Sequence, residues 1–350
     1  MTTKSPLRPT GKALESDTGV KTLGMVAREA GVSPSTVSRI LNGTAVVSAD
    51  KKKAVDDAIA KLGFVPNPMA RALAGGRTMS IGVITQAIDS PFYGAALCGI
   101  EDVLEPLGYS PLFVSGHWNA EAETRRLEVL RARRVDGIIV LTGRLSDHAL
   151  ATAAQTQPVV VTGRSLVAPG LFALSFDNFE GGRVATRHLL QLGHRHIAFI
   201  AGDHDHPDAN ERLRGYQAAL QDAGIAFNPA LVVPGEYHEV SGLLAVNRLL
   251  EQQQHFSAIF AANDQMALGA ALGLQRRGLR VPDDVSLVGF DDLPTSVYAI
   301  PPLSTVRQPA YDLGRLAAQA MLQLLDGQTP QVEMPVPTLV ARESSRRLQR

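Results

Sequence analysis

Apolar side chains at Leu23, Val26, Ala27 and Ala30 follow the i, i+3, i+4, i+7 spacing of one helical face. Gly31 comes next, where a positive φ ends a helix at little cost. Ser33 and Pro34 then read as a helix start, a hydroxyl N-cap followed by proline at the first helical position. Val37, Ile40 and Leu41 give the second helix its own apolar stripe, and its other face carries Ser35, Thr36, Ser38, Arg39 and Asn42. Ser35 and Arg39 are four apart and point the same way. A third helix is expected from Ser48, with Val55, Ala58, Ile59 and Leu62 inward and Gly63 at its end. The pattern predicts a small all-α helix-turn-helix head over residues 20–64, behind a disordered tail over 1–19.

The segment FVPNPMARALAGGR reads as a linker, over residues 65–78. Pro66, Asn67 and Pro68 can start a helix and Gly75-Gly76 can stop it, leaving about two turns between them. So short a helix is marginal in water, which predicts a segment that is disordered alone and helical only when something it binds supports it.

From Ser80 the pattern changes to short β-rich runs (SIGVIT, DGIIVL, PVVVTG, HIAFIAG, AIFAAN, VSLVGF) separated by amphipathic stretches near 92–107, 121–132, 180–192, 209–223, 239–254, 264–277 and 310–326. Several runs are continuously apolar, as parallel strands covered on both faces require. The alternation predicts a doubly wound α/β architecture. Residues 79–350 exceed what one such unit needs, so two lobes are expected: about 79–178 with 309–337, and about 179–308 with 338–345. The groove between lobes is the default pocket, at the carboxyl ends of the strands.

Charge sharpens the division. The chain balances 34 Lys and Arg against 34 Asp and Glu. Residues 1–78 hold 12 basic and 6 acidic side chains, so the rest holds 22 against 28. A basic head on an acidic body suits a head that faces phosphates.

VAREAGVSPSTVSRILNG, then VS, then LGFVPNPMARALAGG, resembles the DNA-binding head and hinge of the lactose-repressor/galactose-repressor family. The resemblance continues to about Glu343, through AANDQMALGA, GLRVPDDVSLVGFDD and IPPLSTVRQ, and implies a two-lobed effector domain of the periplasmic-binding-protein kind. It implies that the second helix enters the major groove, with Pro34, Ser35 and Arg39 at base-reading positions. Arg39 is the strongest reader, because a guanidinium pairs bidentately with guanine. Thr22, Ser33, Thr36, Ser38 and Asn42 fit phosphate contacts better. Asn67, Arg71 and Leu73 fall on the hinge, where the resemblance implies that Leu73 wedges between base steps in the minor groove.

For the body, the resemblance implies that Arg212 contacts the effector. It likewise implies that Asn263 and Asp291 are polar ligand contacts, that Phe92, Tyr93 and Tyr237 are wall aromatics, and that Gln308 is a further contact. Asn263, Asp264 and Asp291 follow strands and are expected to face the cleft. Carboxylates, an amide, a guanidinium and aromatic faces suit a polyhydroxyl ligand. One departure stands out: Gly163 falls where the lactose repressor has an acidic ligand contact, and Arg164 is next. Arg164 turned inward would favour a sugar acid; turned outward it is an exposed loop arginine.

Cys98 is the one cysteine; it excludes a disulfide between two cysteines of the chain, suits a reducing compartment, and is expected to be buried and inert. No apolar run approaches a membrane span, and the N-terminal residues lack a secretory pattern, so a cytoplasmic protein is expected. His194, His196, His204 and His206 crowd one stretch, where a metal site is the alternative, but they match no zinc spacing and are read as loop and strand-edge residues, with His204 or His206 able to reach the cleft. Neither cofactor nor metal is expected, and no catalytic constellation stands out. The tail ARESSRRLQR lacks a heptad helix, which favours a homodimer. The resulting expectation is a ligand-responsive repressor of carbohydrate-use genes on a near-palindromic operator, released by a sugar or sugar acid. The alternatives are a corepressor-dependent or activating regulator of the same family, a sugar-binding transport protein, or an enzyme acting on sugars.

Overall fold

The computed structural model describes residues 21–41, 47–64 and 76–349. The chain divides into two compact units, 1–78 and 79–350. In the first, α1 (Leu23–Glu29), α2 (Pro34–Leu41) and α3 (Ala49–Leu62) pack around Val26, Ala27, Val37, Val55, Ala58 and Phe64. The apolar stripes read from the sequence are the ones buried. Thr22 caps α1, its hydroxyl accepting from Met25 N at 3.4 Å. Ser33 caps α2, accepting from Thr36 N at 3.2 Å. Gly31 and Gly63 both take positive φ, +64° and +58°, so the chain can reverse after α1 and leave α3. An ion pair, Lys61 to Glu29 at 2.6 Å, ties α3 to α1 on the surface.

The second unit contains two sheets. β1 (Ser80–Thr85), β2 (Ser110–Ser115), β3 (Gly137–Val140), β4 (Val159–Thr162) and β5 (Leu171–Leu174) form a parallel sheet in the order β2-β1-β3-β4-β5. β6 (Ile197–Ala201), β7 (Val232–Pro234), β8 (Ala258–Ala261), β9 (Ser286–Asp291), β10 (Ser304–Arg307) and β11 (Thr338–Val340) form the other, in the order β11-β10-β9-β8-β6-β7. Only β11 there runs antiparallel, against β10. β1, β3 and β4 are apolar and nearly wholly buried, as are β6, β8 and β9; these were the six runs legible as strands.

Helices cover both faces: α4 (Pro91–Leu104), α5 (Ala120–Ala132), α6 (Asp147–Ala154), α7 (Asn178–Gln191), α8 (Pro207–Asp222), α9 (Glu239–Glu251), α10 (Asp264–Arg276) and α11 (Ala310–Leu325). α11 packs on α4 and the first sheet, although it follows β10 of the second. Gly99 and Gly314 allow that contact, because a Cβ on either would lie 2.1 Å from Tyr311 O or 1.8 Å from Ala96 O. The chain therefore passes between the lobes three times, after β5, after β10 and before β11.

Strand order decides where a ligand can sit. Each sheet reverses its winding once, between β1 and β3 in one lobe and between β6 and β8 in the other. Loops leaving the carboxyl ends of the two strands at such a switch diverge and leave a crevice. The loops after β1, β3, β6 and β8 therefore meet at a single cleft, joined by those after β2, β4 and β7.

Candidate effector cleft

The cleft is a cavity of about 330 Å³, within the range of small-molecule sites. Ser90, Phe92, Tyr93 and Trp118 line it from the first lobe, with Thr142, Thr162 and Gly163. His206, Asp208, Arg212, Tyr237, Asn263 and Asp291 line it from the second. Asn178 and Gln308, at two of the crossings between lobes, close its floor.

Arg212 is the most constrained of these groups. It lies on α8, and its Nε donates to Asn178 Oδ1 at 2.8 Å. Nη2 donates to Gln308 Oε1 at 2.8 Å, and Nη1 donates to the carbonyl of Ala262. Its guanidinium carbon sits 3.8 Å from the centroid of the Phe290 ring. Asp291 Oδ1 is 3.9 Å from Nη1. Burial raises the Asp291 carboxyl well above its ordinary range, and Arg212 opposes that rise.

Asn263 shapes the wall from behind. Its Oδ1 accepts from Met266 N at 2.9 Å, capping α10, and its Nδ2 donates to Tyr237 O at 3.0 Å. Tyr237 is held at φ +63° with its ring against Gly202, where a Cβ would lie 2.2 Å from the phenolic oxygen. Its hydroxyl has no hydrogen-bond partner among the described residues, and neither has His206 Nδ1. Burial first, then Arg212, pushes the His206 imidazole down to about 3, so it is neutral. Phe92 and Tyr93 meet edge to face at 5.4 Å. The Trp118 and His206 rings, from opposite lobes, lie 4.1 Å apart.

A buried polar bracket sets the first-lobe rim. Glu123, on α5, accepts from Arg144 N at 2.8 Å and Leu145 N at 2.8 Å. Gln86 accepts from Trp118 N at 2.9 Å and donates to Thr142 O at 3.3 Å. Burial raises the Glu123 carboxyl, and the two backbone donors oppose that.

Seven of the eight expected effector residues line this cavity: Phe92, Tyr93, Arg212, Tyr237, Asn263, Asp291 and Gln308. Arg164 does not. Its guanidinium donates to Leu145 O at 2.7 Å, to Asp147 Oδ1 at 3.0 Å and to Gly143 O, so three acceptors of its own lobe hold it off the cleft. Asp264 is also corrected: it is buried beside the cleft, accepting from Ser296 Oγ and Thr305 Oγ1 at 2.6 Å each and from Leu293 N at 2.8 Å. Of the histidines, His206 lines the cavity while His204 is exposed. Cys98 is exposed on α4 rather than buried.

Trp118, Asp208 and Asn178 line the cavity without having been anticipated. Trp118 follows β2, a strand that SPLFVS conceals behind its proline. Asp208 had a signal, since it precedes Arg212 by one helical turn and shares its face.

On the head, α2 exposes Pro34, Ser35 and Arg39 on one side. The Ser33 hydroxyl lies 2.8 Å from those of Ser35 and Thr36. Asn42, Asn67, Arg71 and Leu73 lie outside the described residues.

Residues 22–67 match the model of bacterial regulatory proteins of the lacI family, and residues 186–345 match a periplasmic binding protein-like domain. The chain belongs to the lacI family and is a DNA-binding transcriptional regulator built to respond to a small molecule. It is 37% identical over 326 residues to the HTH-type transcriptional regulator GalR of Escherichia coli, covering 92% of this chain and 95% of that one. It is 35% identical over 304 residues to the repressor PurR of Haemophilus influenzae, covering 86% and 90%. Among solved structures, the lac repressor dimer bound to operator and the anti-inducer ONPF superposes with a TM-score of 0.84 at 31% identity, over 93% of this chain and 99% of that one. A complex of the regulator CelR with cellobiose gives 0.70 at 35% identity, with the same coverage.

Proposed function

We propose that this protein is a cytoplasmic homodimer that represses carbohydrate-use genes, and that a sugar in the cleft releases it from a near-palindromic operator. The carrying observation is the pairing of Arg212 with Asp291 beneath a wall of aromatic rings. Polar groups that donate and accept in pairs match vicinal hydroxyls, and aromatic faces cover the C–H surface of a pyranose. The cellobiose complex of one relative and the ribose operon repressor of Haemophilus influenzae, 33% identical over 325 residues, support a sugar. On the head, Arg39 reads a guanine and Ser35 assists, with Pro34 offering only apolar contact. Thr22 and Ser33 serve their helices as caps and touch phosphates alongside Thr36 and Ser38.

The cleft binds without turnover in this reading. A thermal-shift screen of the full chain over neutral sugars, sugar acids and nucleobases tests it. A sugar should stabilise the protein, by about 2.7 kcal/mol at roughly a hundred times its dissociation constant. Stabilisation by nucleobases alone would overturn the sugar reading. A gel shift with and without the ligand then fixes whether it releases or strengthens operator binding.

A further inference from the structure

Asp208 is one of the carboxylates that line the cleft. It sits in the first turn of α8, on the second lobe, and its carboxylate accepts no hydrogen bond from any described residue. It reaches the first lobe at Gly163. A Cβ on Gly163 would lie 3.4 Å from Asp208 Oδ2 and 2.8 Å from Thr142 Cγ2, and the residue holds φ +72°. The bare backbone at 163 therefore leaves room for a carboxylate offered from the opposite lobe.

Charge around the cavity runs the same way. Four carboxylates line it, Asp89, Asp208, Glu236 and Asp291, against one guanidinium, Arg212. Arg212 is already committed to Asn178, Ala262 and Gln308, with Asp291 beside it. The neighbouring cation, Arg164, is tied to Gly143, Leu145 and Asp147. His206 carries no charge. An anionic ligand would bring its charge into a partly desolvated, acid-rich site where, among the described residues, the lining guanidinium is already committed. A neutral polyol meets an acceptor pair instead, since one carboxylate can take two hydroxyl protons.

Resting on the reading of this cleft as a sugar site, we propose that it selects an uncharged sugar or glycoside and rejects the phosphorylated and carboxylated forms of the same sugar. Asp208 is the specificity-determining residue, accepting ligand hydroxyls across the lobe boundary at Gly163. Such a regulator reports the sugar before any phosphoryl transfer to it, so the reaction class that would silence the signal is a kinase acting on that sugar. The sugar-acid ligand that an inward Arg164 would have favoured is disfavoured by the same geometry.

The test is isothermal titration of the full-length protein with paired ligands: D-glucose, D-galactose, D-fructose, D-ribose and cellobiose, each beside its phosphate ester and its aldonate or uronate where one exists. At least one neutral sugar should bind, and its anionic partners should bind weaker by about a hundredfold, the scale of one lost charge-assisted contact plus a buried repulsion. Asp208→Asn should weaken the neutral sugar by about tenfold and shrink the gap to the anions. The wild-type comparison needs no variant, so a misfolded substitution cannot blur it. A phosphorylated or carboxylated sugar binding as tightly as its neutral parent overturns the proposal and leaves the sugar-regulator reading standing. Failure of every sugar, neutral or anionic, overturns both.

Discussion

Arg144 and Asp203 meet across the mouth of the cleft, Nη2 to Oδ2 at 2.7 Å, and they come from opposite lobes. Asp205 adds a second, longer contact to the same guanidinium at 3.4 Å. Both side chains of the main pair are about a third exposed, so the pair contributes no more than about 1 kcal/mol. Its effect falls on the lobe angle rather than on folding. Arg144→Ala should leave the melting temperature nearly unchanged and weaken the effector by a few-fold, and Asp203→Ala should do the same. The double variant should be no worse than either single one, which calorimetric titration of all four proteins would reveal. Fully additive losses would mean that the pair does not act as a clasp.

Glu123 holds the loop from which Arg144 projects. Removing its carboxylate strands one buried and one part-buried N–H group, so Glu123→Ala should cost about 2–4 kcal/mol in urea unfolding of the body. Glu123→Gln keeps one acceptor oxygen and should cost less. Equal losses in the two would contradict the bracket.

Gly202 is where the Tyr237 ring rests. Gly202→Ala places a carbon 2.2 Å from the phenolic oxygen, and the Tyr237 backbone cannot retreat freely while Asn263 holds its carbonyl. Effector affinity should fall by about tenfold or more through lost ring contact, with operator affinity intact. Parallel titration with ligand and with operator separates the two.

Acidity offers an independent handle on Asp208. Burial raises its carboxyl from 3.8 to about 6, against the pull of Arg212 and Arg164, with Glu211 adding to the rise. A carboxyl raised in the folded state binds protons there more readily than in the unfolded chain. Its contribution to stability is therefore full below about pH 4 and lost as pH climbs through 6. Asp208→Asn should be more stable than the parent at pH 7.5, by roughly 1–3 kcal/mol, and no more stable at pH 4. Affinity for the neutral sugar should fall as pH drops through 6, because the protonated acid accepts fewer hydroxyls. His206, displaced to about 3, is neutral over that whole range, and Tyr93 and Tyr237, which burial raises further, stay protonated. Asp264 is also raised by burial to about 6, so the Asp208→Asn profile is the reference that isolates Asp208. A flat profile between pH 5 and 7.5 would remove Asp208 from the site.

Much of this was legible in the chain because both folding units write their cores as periodicity. The stripe Val26, Ala27, Val37, Val55 is the core of the head, and β1, β3, β4, β6, β8 and β9 are the six β-rich runs. The strands that escaped, β2, β5, β7, β10 and β11, sit at or beside sheet edges: β2 and β7 carry a proline, β5 and β11 are only three or four residues long, and β10 buries Ser304 and Thr305, so none writes an apolar run of useful length. Among site residues, Arg212, Asn263 and Asp291 line the cavity, and the sequence signal for them was their place in the matched segments ERLRGY, AANDQMALGA and VSLVGFDD. Arg164 misled because sequence cannot show which carbonyls a loop turns inward, and here Gly143 and Leu145 capture it. Cys98 misled in the same way, since its helix is apolar on more than one side and only packing reveals which side is covered.

Arg39 carries the prediction for the head. Arg39→Ala should leave the three-helix core intact, because the side chain is exposed on α2, and should cost about 1–3 kcal/mol of operator affinity. The loss should be concentrated at one base pair per half-site, which binding to single-substituted operators would expose. A uniform loss over all operator sequences would make Arg39 a phosphate contact.

The central claim is that cleft and operator share one equilibrium. Operator DNA selected by the protein itself from a random pool, labelled and titrated into the full-length protein with and without a saturating neutral sugar, tests it. The operator dissociation constant should change by about 5–150-fold, and the sugar's constant should change by the same factor when operator is present. Identical operator affinity with and without a sugar that demonstrably binds would contradict the account.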